Sequence, residues 1–104
     1  MRMLVMANPQ FPVPQEQFPA LVQGFTAWRE KYRSKMESFY FFAGSGGGFG
    51  VVNVASEAEL NQLMLEWPFS FYSDVQCRPV LDGDVALQQW QALIQSMAGA
   101  GGPR

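Results

Sequence analysis

Apolar positions recur along this chain with two periods, one near two residues and one near 3.6. Arg2 to Ala7 is a short, mostly apolar run and reads as a first strand. Pro9, Pro12 and Pro14 then interrupt regular structure and impose an extended connector. Such a connector is expected to drape over a sheet edge or a pocket mouth. From Gln15 to about Met36, the residues Phe18, Leu21, Val22, Phe25, Trp28, Tyr32 and Met36 return at spacings of three and four. This predicts a first helix. Pro19 fits only its first turn, which sets the start near residue 16. Gly24 weakens the helix by roughly 1 kcal/mol relative to alanine.

The stretch from Ser38 to Ser56 predicts an antiparallel hairpin. Phe39 to Ala43 and Phe49 to Val54 are aromatic and β-branched, and Gly44 to Gly48 supply the tight reversal between them. In the first strand Tyr40 and Phe42 face one way, and Phe39, Phe41 and Ala43 the other. In the second, Val52 and Val54 alternate with Phe49 and Val51. Neither strand has a polar face, so both faces of the sheet are expected to be covered. Helices cover one. A second copy of the chain is the expected cover of the other. A phosphate-binding loop would require a helix directly after the glycines, whereas a strand follows here, with no Lys-Ser or Lys-Thr pair. Gly50, inside the second strand, marks a bulge or a close approach.

Ser56-Glu57-Ala58-Glu59 is a capping box and predicts the start of a second helix. Leu60, Leu63, Met64 and Trp67 supply its buried face, and Pro68 ends it. Phe69 to Val80 reads as the fourth strand. On it Tyr72, Asp74, Gln76 and Arg78 share one face, and Phe71, Ser73, Val75 and Cys77 the other. Asp82-Gly83-Asp84 is a turn and a helix cap. Val85 to about Met97 follows as a helix with Leu87, Trp90, Ile94 and Met97 in register. Gly99 to Arg104 reads as a flexible tail. The order strand, helix, strand, strand, helix, strand is the split βαβ, ferredoxin-like pattern, an α+β fold. It predicts one domain over residues 1–98, with a four-stranded antiparallel sheet, helices on one face and an added C-terminal helix. Two bare sheet faces can then pack together as a dimeric α+β barrel.

Composition narrows the function. The 104 residues are 48% hydrophobic and only 15% charged, a low charge fraction for a small monomer, which favours a buried oligomer surface. The net charge is −2 and no basic run exists, which argues against nucleic-acid binding. Histidine is absent and Cys77 is the lone cysteine. This argues against a zinc site and excludes a Ser–His or Cys–His nucleophile. With no internal disulfide, no signal peptide over Met1 to Met6 and no apolar run of about 18 residues, the expected location is the cytoplasm, away from any membrane.

One residue disturbs the first helix. Arg29 is four residues after Phe25 and three before Tyr32, inside the apolar stripe. A charge there costs several kcal/mol unless it is paired or wet. Two readings stand: Arg29 snorkels or pairs with a carboxylate across an interface, or it faces a pocket between helix and sheet and binds an anionic ligand. Tyr72 and Asp74, two residues apart, converge on it if their face meets the first helix. If that face meets solvent or a partner subunit, they are surface groups.

The residues Ala43-Gly44, the stretch FGVVNVASEAEL (49–60) and the stretch PFSFYSDVQCRPV (68–80) resemble the muconolactone isomerase-like family. The likeness covers roughly residues 1–81. It implies a dimeric α+β barrel, sometimes a larger ring, with a ligand pocket between sheet and helices. It also implies cofactor-free proton transfer on a small lactone or carbonyl compound. Where the isomerase carries a histidine near the glycine turn, this chain has Ser45. A proton shift next to a carbonyl needs one base and one donor to the developing enolate. Asp74, or else Glu30, is the candidate base; Tyr72 and Arg29 would hold the oxyanion or a substrate carboxylate. Trp28, Tyr32, Tyr40 and Ser45 complete the candidate substrate-facing set. Two non-catalytic readings remain beside it: a binding or carrier protein for a small apolar molecule, and an oligomeric scaffold.

Overall fold

Four strands and three helices follow one another as β1 (Arg2–Pro9), α1 (Phe18–Lys31), β2 (Met36–Phe41), β3 (Gly48–Asn53), α2 (Glu57–Leu65), β4 (Ser73–Pro79) and α3 (Gly83–Gly101). This is a computed structural model, and it describes residues 1–101. The strands form one antiparallel sheet in the order β2-β3-β1-β4. That is the ferredoxin-like arrangement expected from the order of elements.

Register sorts the side chains between the two faces. Val5 stands opposite Gly50 on one side and Cys77 on the other, and Met3 opposite Val52 and Pro79. These positions face the helices. Met3, Val5, Val52 and Val54 are buried there against Leu63 of α2, with Trp28, Tyr32, Met36, Leu60, Met64 and Val75 packed around them. Leu63 is fully buried, which alone contributes about 2–3 kcal/mol. The opposite face carries Tyr40 across from Phe49, Phe49 across from Met6, and Val51 across from Leu4. No helix among the described residues packs on it; Tyr40 is exposed there, and Leu4, Met6, Phe49 and Val51 are half-buried.

Local chemistry explains the joints. Gly44 and Gly46 adopt φ of 83° and 76°, which lets the loop between β2 and β3 reverse without strain. A Cβ on Gly50 would lie 2.8 Å from the Ser38 carbonyl oxygen. The glycine therefore marks a close strand approach, beside a register shift of β2 between Met36 and Ser38. The Ser56 hydroxyl accepts from the Glu59 N–H at 3.2 Å, and the Glu59 carboxylate accepts from the Ala55 N–H at 2.9 Å. The capping box thus forms, with the return bond one residue upstream of the cap. Asp82 caps α3 by accepting from the Asp84 N–H at 2.9 Å.

Several boundaries differ from expectation; β2 runs over Met36–Phe41 where Phe39–Ala43 was expected. The first helix ends at Lys31, and a 3-10 turn over Arg33–Lys35 leads into β2 at Met36. Met36 keeps helical spacing with Tyr32 but is a half-buried strand residue opposite Val52; an inward-facing position satisfied both periods. The fourth strand begins at Ser73 rather than Phe69, because a 3-10 turn occupies Ser70–Tyr72. The Tyr72 carbonyl of that turn accepts from the Gln10 and Phe11 N–H groups at 2.9 and 3.0 Å, pinning the proline-rich connector.

α3 is longer than expected and runs through Gly101, so 99–101 of the tail expected over 99–104 are helical; 102–104 lie outside the described residues. The helix makes no extensive packing contact with the rest of the chain, so the long axis reaches 68 Å against 26 and 21 Å across. Val85, Leu87, Trp90, Leu93, Ile94 and Met97 are all exposed. No helix among the described residues is long and apolar enough to cross a membrane.

Candidate functional site

The stripe of α1 that does not reach the core faces a cleft of about 700 Å³. Phe18, Val22, Phe25 and Arg29 form its helix wall, at the three- and four-residue spacing of one helix face. Phe39 and Phe41 of β2 form the floor. Phe11, Pro12 and Val13 of the connector, with Phe69 and Tyr72 of the 3-10 turn, close the far side. The connector therefore drapes over a pocket mouth, as its prolines suggested. Phe25, Phe39, Phe41, Gly46 and Ser73 also line a smaller inner chamber of about 70 Å³, which ends at Val5, Trp28, Leu63, Met64 and Trp67. Cleft and chamber are thus two parts of one recess.

Arg29 is half-buried in this apolar wall. Its guanidinium carbon lies 4.9 Å from the centroid of the Phe39 ring, and one terminal nitrogen is 3.7 Å from the Met36 sulfur. Stacking of this kind contributes about 0.5–1 kcal/mol at exposed sites. Among the described residues, no carboxylate forms an ion pair with Arg29. The neighbouring Glu30 is occupied instead by Arg33 one turn on. Hydrogen bonding to Arg33, together with its charge, holds the Glu30 carboxyl below the usual range. Arg29 therefore lines the recess as a cation with no ion-pair partner among the described residues.

The remaining expected site residues divide by location. Tyr72 lines the cleft, and its hydroxyl donates to the Gln17 side chain at 3.1 Å. Trp28 lines the inner chamber, with its indole N–H donating to the Leu63 carbonyl at 2.9 Å. Tyr32 points away from the cleft: its hydroxyl donates to Glu66, which also takes Lys31 at 2.5 Å. Hydrogen bonds from Lys31 and then Tyr32 lower the Glu66 pKa, while the bond to Glu66 raises that of Tyr32. Ser45 sits exposed in the glycine loop. Tyr40 lies on the outer face of the sheet, stacked on Phe49 at 5.5 Å.

The structure does not bring Asp74 to Arg29. Asp74 pairs with Asn8 and is exposed, while its neighbour Val75 packs on the core. Asp74 therefore faces the outer side of the sheet, away from the cleft. Strand alternation over Phe69 to Val80 would have put Tyr72 and Asp74 on the same side. The 3-10 turn at Ser70–Tyr72 breaks that alternation and separates them.

One polar group escaped sequence reasoning. Trp67 is buried, at 9% exposure, and its indole nitrogen has no hydrogen-bond partner. An unpaired buried donor costs about 1–3 kcal/mol. Its place directly before Pro68 at the end of α2 reads as ordinary core, and nothing in the sequence marks its N–H as unpaired. Phe11 and Val13 were also missed as lining residues, since only their connector could be placed.

Comparison with known proteins bears on the fold. Residues 2–94 match a family described as a domain of unknown function (DUF3303), and the chain belongs to that family. No curated protein matches the chain. Among solved structures, the chain is similar to muconolactone isomerase, with 16% identity and a TM-score of 0.70 over 79% of this chain and 90% of the other. It is also similar to the 5-chloro-2-hydroxyhydroquinone dehydrochlorinase TftG of Burkholderia phenoliruptrix AC1100, in complex with 2,5-dihydroxybenzoquinone. There the identity is 15% and the TM-score 0.67, over 82% of this chain and 98% of the other. At these identities the likeness shows a muconolactone isomerase-like α+β fold.

Proposed function

We propose that the cleft takes up a small, flat, apolar molecule carrying one anionic group, which Arg29 holds. The observation that carries this is the unpaired Arg29 cation set in an aromatic wall. A recess of this size, apolar with few polar groups, is what such ligands occupy. The fold neighbours are an isomerase and a dehydrochlorinase, the second holding a benzoquinone, which supports a small ring compound as ligand. The guanidinium is stacked on Phe39, so its plane and charge are already fixed before a carboxylate arrives.

A second reading adds chemistry: proton transfer next to a carbonyl, without a cofactor. What favours it is that Glu30 and Tyr72 line the same cleft as Arg29. Glu30 would be the base, and Tyr72 would donate to the developing oxyanion. The Arg33 bridge makes Glu30 a weak base at rest, so ligand binding must loosen that bridge for the step to run. Asp74, on the far side of the sheet, has no place in it.

We further infer that the chain works as a self-assembled pair or larger ring. Its surface is 7487 Å², against roughly 5,800 Å² expected for a compact monomer of this length. α3 exposes Val85, Leu87, Trp90, Leu93, Ile94 and Met97, and the outer sheet face exposes Tyr40 beside the half-buried Leu4, Met6, Phe49 and Val51. A second copy presents the same apolar surfaces and covers both.

Three outcomes follow from these readings. Calorimetric titration with 4-isopropylbenzoate should show binding that Arg29→Gln weakens by about 10- to 100-fold, the size of a charge-assisted hydrogen bond; equal affinity in the variant removes Arg29 from the site. In D2O the protein should promote deuterium exchange into a butenolide carboxylate, and Glu30→Gln should slow it at least about 100-fold while Asp74→Asn leaves it alone; no exchange above background sinks the catalytic reading. Sedimentation velocity at micromolar concentration should give a dimer or larger species, and a monomer contradicts the assembly.

A further inference from the structure

α3 carries an apolar face that the rest of the chain leaves exposed. Leu87, Trp90, Leu93, Ile94 and Met97 are each more than half exposed. By the turn of a helix they fall within an arc of about 120°, and Gln88, Gln89, Gln91, Gln95 and Ser96 occupy the rest. Leu87, Trp90, Ile94 and Met97 follow one another at spacings of three, four and three, the seam of a helix that meets another helix. No charged residue occurs from Val85 to Gly101, so no ion pairs run along the helix. A helix about 28 Å long with neither ion pairs nor packing is marginal in water. Its apolar face therefore calls for a cover.

We propose that this face is a self-recognition surface, covered by α3 of a second copy running antiparallel to it. This rests on the proposed self-assembly and states which surfaces meet. A two-fold axis at Ala92, the middle of the helix, sets Leu87 against the partner's Met97 and Trp90 against the partner's Ile94. Every seam residue then has an apolar counterpart, and the indole meets an aliphatic chain. A parallel pair instead brings together both helix N-termini and the Asp84 carboxylates of both copies. The area is sufficient: the excess of the 7487 Å² surface over that of a compact monomer is about twice the roughly 800 Å² each partner gives to a standard interface. The outer sheet face is the weaker mate for α3. Its β4 row is Asp74, Gln76 and Arg78, and of Leu4, Met6, Tyr40, Phe49 and Val51 only Tyr40 is exposed. With no charged group along the stripe, shape and apolarity alone choose the mate, and the surface that matches in length and register is α3 itself.

The test combines sedimentation velocity with disulfide cross-linking, both on the full chain. Ile94→Glu should weaken self-association at least about 100-fold, because it buries an unpaired carboxylate in the seam. The thermal melt of the sheet domain, followed by near-ultraviolet circular dichroism, should stay where it was. In a Cys77→Ser background, Leu87→Cys alone and Met97→Cys alone should form no disulfide dimer, and the two variants mixed and left to exchange should form one. If Ile94→Glu leaves the association constant unchanged, the α3 proposal falls and the self-assembly reading stands on the outer sheet face. If each cysteine variant links to itself, the antiparallel pairing is wrong and the proposal falls. If the unsubstituted protein is a monomer, both readings fall. Should Ile94→Glu fail to fold, the cross-linking decides the matter alone.

Discussion

A guanidinium set into an apolar helix stripe, with no ion-pair partner among the described residues, is the feature around which the function of this molecule turns. Desolvating such a cation is costly unless something offsets the loss. Stacking on Phe39 offsets part of it, and the contact with the Met36 sulfur adds little. Arg29 itself lines the recess. The structure holds the recess in shape with ordinary means: three prolines stiffen the connector, the Tyr72 carbonyl pins it, and aromatic pairs lock the floor. The ion pairs at the end of α1 serve the same purpose. Glu30 takes Arg33 and Glu66 takes Lys31, so neither forms an ion pair with Arg29.

The fold was largely legible in the sequence because its signals were local. The capping box at Ser56, the stop at Pro68, the glycine reversal and the Asp82 cap all do in the structure what their chemistry implies. The doubly apolar hairpin was also legible: Phe39 and Phe41 turn to the helices while Tyr40 and Phe49 turn outward. What misled was coincidence of period. Met36 fits a helical stripe and an inner strand position equally well. Phe69 to Tyr72 has strand-like composition yet forms a 3-10 turn, since Phe69 must leave α2 directly after Pro68.

The site was legible only in part, for the same reason. Arg29 could be singled out, because a charge in an apolar stripe violates a periodic rule. Its convergence with Asp74 could not be judged, because strand parity depends on where the strand begins. That start shifted by four residues, and Tyr72 came to the cleft while Asp74 went to the other face. Trp67 could not be singled out at all. A buried tryptophan is an ordinary core residue, and only the absence of an acceptor near its N–H sets it apart.

The central claim is that the Arg29 cation is reserved for a ligand rather than for another part of the assembly. The measurement that decides it most directly is a crystal structure of the assembled protein grown with an aromatic carboxylate, examined at the Arg29 side chain. The account predicts a ligand carboxylate on the guanidinium, with its ring between Phe25 and Phe39. An Arg29 locked to a carboxylate from a second copy, across a filled interface with no room for a ligand, would contradict it.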